Sequence, residues 1–402
     1  MVFARLRLAA RSLPVAGGRS VASSGRVNAA PCPHRPPCPG CPRFGEPGIA
    51  PRARAALDAF AARAGVPAPE AIDASGFASR HRARLMVRGR TRTPKIGLFQ
   101  QGSHRIVDIP QCRIHHPMIN RVAAAVRAAA RDAGLEPYAD RPHRGALRAI
   151  QVVVERRSQS AQLVLVENAA QPGPVAELAG PLARELGGAL HSLWWNGNPQ
   201  RGNVILGSAW RHLAGPEVVV EEVGGCEIAF PPGAFGQSHP ALADRIAQSA
   251  QRWIPDGARA VEFHAGCGPI GMGLLRRVAS LTFNEVSEAS LDGLARGIAR
   301  RPAEERARAG VRAGPAAQHI DLLAQTDAVL VDPPRSGLEP ALLDALCAHA
   351  PEHLVWVSCG LDAFLGQATA LLECSPLRLR SLEAYALFPF TEHVETLAHF
   401  AR

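Results

Sequence analysis

A doubly wound α/β sheet joined to a second, β-rich unit is the fold class that this 402-residue sequence predicts. From about residue 240 onward, short apolar runs alternate with helical stretches, the pattern of parallel strands linked by crossover helices. From about 76 to 230 the pattern differs: β-like runs follow one another with Gly, Pro and Asn breakers between them. Ahead of both lies a Cys-rich stretch and one Ala-rich helical pattern over roughly 50–65.

The length suits two domains with a small appendage and allows a large core. No run of eighteen or more apolar residues occurs, so no membrane partner is expected. The formal net charge is +10 and nearly all positive charge is arginine, Lys95 being the single lysine. Arginine grips phosphate in a bidentate way and stacks on bases, which favours a polyanionic partner such as nucleic acid. GC-rich codon use accounts for arginine replacing lysine but not for the excess of charge. Nine cysteines, four of them N-terminal, suit metal ligands and reduced thiols better than a secreted disulfide framework.

Residues 1–31 hold five arginines, several serines and no acid. This composition fits a transit peptide, a disordered basic arm or an early start codon. The protein is expected in the cytoplasm, or in a mitochondrion or plastid if the arm is a transit peptide. Residues 32–75 open with Cys32-Pro-His-Arg-Pro-Pro-Cys38-Pro-Gly-Cys41. Two thiolates separated by two residues can face one metal, and Cys112 is the natural fourth ligand; four thiolates suit zinc or a [4Fe-4S] cluster.

Residues 76–235 form the central β-rich unit, with strands read at 83–87, 95–99, 149–154, 161–166 and 203–206. Arg80, Arg82, Arg84, Arg88, Arg90 and Arg92 crowd its first strand, where alternation makes either a phosphate track or a solvated face. Residues 236–402 form the doubly wound domain. Its strands are read at 258–263, 281–286, 328–331 and 354–358, with a helix from Ile270 and a closing strand pair.

Strand carboxyl ends are where open α/β sheets bind ligands. The first strand runs into His264-Ala265-Gly266-Cys267-Gly268-Pro269, and Glu285 ends the second strand, placed to accept ribose hydroxyls. S-adenosylmethionine is the expected ligand, ahead of a dinucleotide. Asp332-Pro333-Pro334-Arg335-Ser336-Gly337 presents an acid past another strand, the prolines stiffening the loop and removing backbone donors. Leu354–Ser358 delivers Cys359, a nucleophile or a small packed thiol. Cys226, Cys267, Cys347 and Cys374 read as packing residues.

Asp332–Gly337, then Val357-Ser358-Cys359, then Phe388-Pro389-Phe390-Thr391-Glu392-His393-Val394-Glu395-Thr396 resemble, in this order, the RNA 5-methyluridine (uracil-C5) methyltransferases of the 23S rRNA and tRNA type. Phe235-Gly236-Gln237 and the four cysteines extend the resemblance over roughly residues 30–400. It implies a Rossmann-like methyltransferase domain, a central RNA-binding domain and a small cluster-binding segment, without the N-terminal oligonucleotide-binding barrel of some members. It implies methyl transfer from S-adenosylmethionine to C5 of a uridine, in rRNA before tRNA, by a monomer. Cys359 adds to C6, and Glu395 removes the C5 proton; Glu392, at an odd strand offset, faces away. Gln237, His264, Gly266, Gly268, Pro269, Glu285, Asp321 and Asp332 become cofactor contacts, and Cys32, Cys38, Cys41 and Cys112 become ligands of a [4Fe-4S] cluster rather than zinc. The sequence departs from the family pattern at His239, Ala265, Pro269 and Gly360-Leu361. These departures keep two alternatives open: a silent RNA-binding paralogue, or methylation of another pyrimidine.

Overall fold

The computed structural model describes residues 31–402, so the basic segment 1–30 lies outside the described residues. The Ala-rich pattern becomes helix α1 (Pro51–Arg63), started by a proline at a position where its missing N–H costs nothing. Ala53, Leu57, Phe60 and Ala61 fall on one face and are buried, the spacing of an amphipathic helix. Strand β1 (Glu70–Ile72) follows.

The central unit is a seven-stranded sheet. Its elements are β2 (Arg82–Arg90), β3 (Thr93–Phe99), β4 (Ile106–Asp108), α2 (Pro117–Asp132), β5 (Leu147–Glu155), β6 (Ser160–Glu167), α3 (Ala179–Leu186), β7 (Leu190–Gly197) and β8 (Ala209–Ala214). The strand order is β4-β3-β2-β5-β6-β7-β8. All pairs are antiparallel except β6 with β7, which α3 joins as a crossover. Ala83, Leu85 and Val87 face the core under α2 and α3, so Arg82 and Arg84 take the opposite face. The run 203–206, read as a strand, is a loop, and β7 and β8 flank it. The amides of Asn196 and Asn198 bind the carbonyls of Val204, Ile205, Gly207 and Ala209, so side chains rather than a neighbouring strand satisfy this backbone.

A hairpin, β9 (Val219–Val223) and β10 (Cys226–Phe230), leads into the C-terminal domain. Its elements are α4 (Pro240–Arg252), β11 (Arg259–Phe263), β12 (Ser280–Glu285), α5 (Glu288–Ala299), α6 (Ala303–Arg308), β13 (Ala309–Ala313), β14 (Ala328–Val331), α7 (Pro340–Ala348), β15 (His353–Ser358), α8 (Leu361–Cys374), β16 (Arg378–Tyr385) and β17 (Glu395–Ala401). The sheet order is β1-β16-β17-β15-β14-β11-β12-β13, so β1 and α1 join this domain across the central unit. The mixed α/β architecture is a doubly wound, Rossmann-like sheet with an additional β-rich sheet. Helices α1, α7 and α8 cover one face; α4, α5 and the β9–β10 hairpin cover the other. Strands β14 and β15 are buried on both faces, which is why they read as continuous apolar runs.

Two further expectations change. The helix read from Ile270 is a single 3-10 turn, Gly271–Leu274, whose glycines let Glu262 and Gln251 approach where a Cβ would lie 2.2 and 2.5 Å away. Cys347 and Cys374 form a disulfide between α7 and the end of α8 instead of packing as free thiols, whereas Cys226 and Cys267 are buried and free. Their 27-residue separation spans β15, and only the folded helix pair brings them together. Among the described residues no helix is long and apolar enough to cross a membrane.

Phe364 of α8 holds α1 to the sheet, its ring lying 5.7 Å from that of Phe60 and 5.5 Å from that of Trp356. Phe364→Ala should lower unfolding free energy by about 3–5 kcal/mol in urea denaturation, the cost of removing a fully buried aromatic ring.

Candidate active site

The carboxyl ends of β14, β15, β11 and β12 open into a cavity of about 1070 Å³, walled on the other side by Arg82, Arg84 and Arg156 of the central sheet. Strand β11 lies between β14 and β12, so the winding direction reverses here, the place where open α/β sheets take ligands.

Sheet register brings a thiol and a carboxyl together. Strands β15 and β17 run antiparallel with Ser358 opposite Thr396, so the next step outward sets Cys359 beside Glu395. The Thr396 hydroxyl donates to the Ser358 carbonyl at 3.2 Å and locks that register. Cys359 is half-buried; Glu395 is 1% exposed, and among the described residues neither of its oxygens has a hydrogen-bond partner. Glu392 occupies the turn before β17 rather than the strand itself, and lies 3.8 Å from Arg43 outside the cavity. Asp332 follows β14, whose Val331 is level with Phe263 of β11 and Trp356 of β15. Arg335 stands at the rim of the same loop.

These acids share a poorly solvated space, and burial disfavours their charged forms. Burial raises the Glu262 carboxyl to about 8, helped by Asp332 and opposed by the Gly271 N–H it accepts. Burial, then Glu285, raises Asp332 to about 7. Glu395 is held well above the carboxylate range by burial and by Asp332, with Arg335 opposing. The Cys359 thiol is pushed up to about 11 by burial, Glu395 and Asp332; Arg335 acts against them. Asp332 and Glu395 line the cavity, where a bound cation would lower both of these raised carboxyls; Glu262 is bonded to the Gly271 N–H and does not line it.

The structure brings Gln237, His264, Gly266, Pro269, Glu285, Asp332, Cys359 and Glu395 to the cavity. Glu285 accepts the N–H groups of Gly266 at 2.7 Å, Val286 at 2.9 Å and Ser287 at 2.7 Å, so it shapes the glycine turn as well as the rim. A Cβ on Gly266 would meet open space, leaving room for a ligand against the backbone. His264 has a left-handed backbone (φ 58°); its Nε2 lies 3.1 Å from Glu339 Oε2 and its buried Nδ1 has no partner among the described residues. Gly268 and Asp321 do not reach the cavity. A Cβ on Gly268 would meet Leu294 at 2.9 Å, and Asp321 is exposed on the 3-10 turn Ile320–Gln325. Gly271 completes a Gly-x-Gly-x-x-Gly spacing but packs on Glu262, so the spacing alone does not separate a dinucleotide from S-adenosylmethionine. Sequence reasoning missed Glu262 and Gln367; an acid inside the apolar run Ala-Val-Glu-Phe was the available signal for the first.

Cys32, Cys38, Cys41 and Cys112 lie within electrostatic reach of one another, and burial followed by the other three thiols raises Cys41 to about 12. Among the described residues, however, no three His, Cys, Asp or Glu groups are arranged to hold a metal ion. Arg80 adjoins Cys41 and Cys112 and, among the described residues, forms no carboxylate ion pair. Cys41-Pro42-Arg43-Phe44 then grips the loop before β17: Arg43 N–H donates to the Phe390 carbonyl at 3.0 Å, and the Phe44, Phe77 and Phe390 rings pack with centroids 5.4–5.9 Å apart.

Glu262 makes stability fall as pH rises. The unfolded chain releases this proton near the ordinary 4.5 and the folded chain near 8, so between those values the unfolded state gains. Glu262→Gln should flatten the decline of thermal midpoint with pH across that window and be the more stable protein near pH 8, by an amount on the order of a few kcal/mol.

The family described as tRNA (Uracil-5-)-methyltransferase matches residues 271–402. The chain is 33% identical over 379 residues to an uncharacterized RNA methyltransferase of Protochlamydia amoebophila, covering 92% of this chain and 97% of that protein. It is 30% identical over 338 residues to an uncharacterized RNA methyltransferase of Geobacter sulfurreducens, covering 79% of this chain and 65% of that protein. Its fold is similar to that of the Pyrococcus abyssi tRNA (uracil-54, C5)-methyltransferase crystallised with S-adenosyl-L-homocysteine, with a TM-score of 0.74, 19% identity, and coverage of 90% of this chain and 85% of that one. The chain belongs to the RNA methyltransferases of the uracil-5-methyltransferase family.

Proposed function

We propose that this RNA methyltransferase transfers a methyl group from S-adenosylmethionine to C5 of a uridine in RNA, in rRNA before tRNA, through a covalent Cys359–C6 adduct. The observation that carries the reading is the β15–β17 register, which sets a thiol beside a buried, unpartnered carboxyl at the rim of a cavity rich in acids.

Cys359 adds to C6 of uracil and the electron pair moves to C5 as an enolate. The cofactor, when bound, supplies the electrophilic methyl that C5 takes. Glu395 then accepts the C5 proton, and the C6–S bond breaks to restore the ring and the thiolate. Glu285, Asp332, Gln237, His264 and the open backbone at Gly266 are the groups that would hold the cofactor, and the exposed Val286 offers an apolar face for a purine. The acid-lined pocket favours a sulfonium cation over a neutral ligand. Arg84, exposed on the sheet face that borders the cavity, would take RNA phosphates, whereas Arg82 is already tied to the Ala234 carbonyl and stacked on Phe230, and Arg88 to Asp140 and Tyr138.

Cys359→Ser should abolish methylation and adduct formation with 5-fluorouridine RNA. On ordinary uridine RNA, Glu395→Gln should form the methylated adduct but fail to remove its C5 proton, accumulating a protein–RNA species on denaturing gels that the parent resolves. Mass spectrometry of rRNA and tRNA from cells lacking the gene tests the whole reading; unchanged 5-methyluridine in both pools would sink it. A new 5-methylcytidine deficit would point to the other pyrimidine, and no deficit together with no adduct would point to a silent RNA-binding paralogue.

The charge balance yields a second test. Burial first, then Glu395 and Asp332, favour the protonated Cys359 thiol. Adding S-adenosylmethionine should move the pH midpoint of Cys359 alkylation downward, and adding the neutral S-adenosylhomocysteine should move it less.

We also infer a [4Fe-4S] cluster on Cys32, Cys38, Cys41 and Cys112. The Cys-x5-Cys-x2-Cys spacing supports it, as does Arg80, a cation whose charge suits an anionic cluster. Anaerobically purified protein should carry about four irons with acid-labile sulfide per chain, lost in Cys38→Ser; zinc without sulfide would mean a tetrahedral zinc site instead.

A further inference from the structure

Gly360 follows Cys359 directly, and its backbone (φ −109°) is one that any residue adopts. Its lack of a side chain is required for a different reason. A Cβ there would stand 2.2 Å from the Arg335 carbonyl oxygen, 3.0 Å from its carbon and 3.2 Å from Arg335 Cα. Gly360 has nowhere to retreat, because its N–H donates to Ser358 Oγ at 3.2 Å and its carbonyl accepts Phe364 N–H at 2.9 Å. The loop Asp332–Gly337 would have to move.

The far end of that loop is held by the same helix. Gln367 of α8 accepts the Leu338 N–H at 2.9 Å and donates its amide to the Leu338 carbonyl at 2.9 Å. Gly337 (φ 85°) lies so close that its Cβ would come within 2.2 Å of Gln367 Oε1. Gly360 and Gln367 are seven residues apart, about two turns of helix, so both present to one side of α8. The start of the loop is fixed independently, Asp332 N–H donating to the Phe263 carbonyl at 3.4 Å.

We propose that Gly360 and Gln367 are positioning residues that latch the 332–337 loop onto α8 and so hold Arg335 toward the Cys359 thiol. The idea rests on the reading of Cys359 as the nucleophile and names what sets its electrostatic surroundings. Three charged groups act on that thiol: Glu395 from β17, Asp332 from the loop's fixed end, and Arg335 from its latched end. Arg335 is the one that favours the thiolate, and it is the one that a bulkier residue 360 displaces.

The test uses the whole chain without RNA or cofactor. Site-resolved mass spectrometry follows alkylation of Cys359 by iodoacetamide from neutral to strongly alkaline pH in the parent, Gly360→Ala, Gln367→Ala, Arg335→Ala and the Gly360→Ala/Arg335→Ala double variant. Gly360→Ala and Arg335→Ala should each move the profile to higher pH and slow alkylation at a fixed pH below the midpoint by roughly two- to fivefold, the reach of an exposed charge. Gln367→Ala should move it in the same direction by a smaller amount. The double variant should match Arg335→Ala alone, since both changes remove one interaction. A Gly360→Ala profile that overlays the parent, or additive effects in the double variant, overturns the proposal. Should Gly360→Ala fail to fold by circular dichroism, Gln367→Ala decides, a parental profile counting against the latch. Because no methylation is measured, failure here strikes the latch alone, whereas loss of the 5-fluorouridine adduct strikes the reaction.

Discussion

The antiparallel pairing of β15 with β17 is the constraint on which the rest of the site depends. A thiol at the end of one strand and a carboxyl at the start of another are 36 residues apart in sequence, and a slip of one residue would turn one of them to the opposite face. Register is secured from both directions: Leu354–Val357 and Leu397, Ala398 and Phe400 are buried within the sheet, and the Thr396 hydroxyl closes onto Ser358 at the edge. The same sheet extends to β1 through β16, so a strand that precedes the whole central unit completes the scaffold of the C-terminal site. The central unit is thus an insertion between α1–β1 and the rest of the doubly wound domain, and its arginine-bearing face forms the opposite wall of the cavity.

Placing several carboxyls in one poorly solvated cleft is costly for an empty site and useful for a filled one. Burial raises each of these acids, and Asp332 adds to it at Glu262 and Glu395, as Glu285 does at Asp332. A bound cation reverses the sign of the interaction for Asp332, Glu395 and the thiol together. Arg335 opposes the negative charge at the thiol and at Glu395.

Much of this was legible in the sequence because the relevant signals are local. The strands 328–331 and 354–358 announce themselves as doubly buried apolar runs, and chemistry-bearing residues sit where such strands end. What was not legible depends on contacts between distant segments. The loop at 203–206 has strand-like composition, but Asn196 and Asn198 bind its carbonyls. Gly268 shares the glycine turn with Gly266 yet turns toward Leu294 instead of the ligand space. Cys347 and Cys374 look like packing residues until α7 and α8 lie side by side. Gly360 looks like a departure from the family pattern, and only the close approach of Arg335 shows why a side chain there has no room.

The N-terminal thiols are part of the same mechanical system. Cys41 is two residues from Arg43, which bonds Phe390 and Thr391 in the loop just before Glu395. Phe390 has a left-handed backbone (φ 61°), a conformation a bulky residue keeps only when its surroundings over-determine it. Those surroundings are Phe44 from the Cys-rich segment, Phe77 from the linker, and Gly76, whose Cβ would overlap the Phe390 ring at 2.8 Å. Glu395 is therefore positioned by two independent means, strand pairing on its C-terminal side and this aromatic clamp on its N-terminal side. Loosening the Cys-rich segment would release the second without touching the first, leaving the carboxyl in its strand but freeing the loop that leads into it.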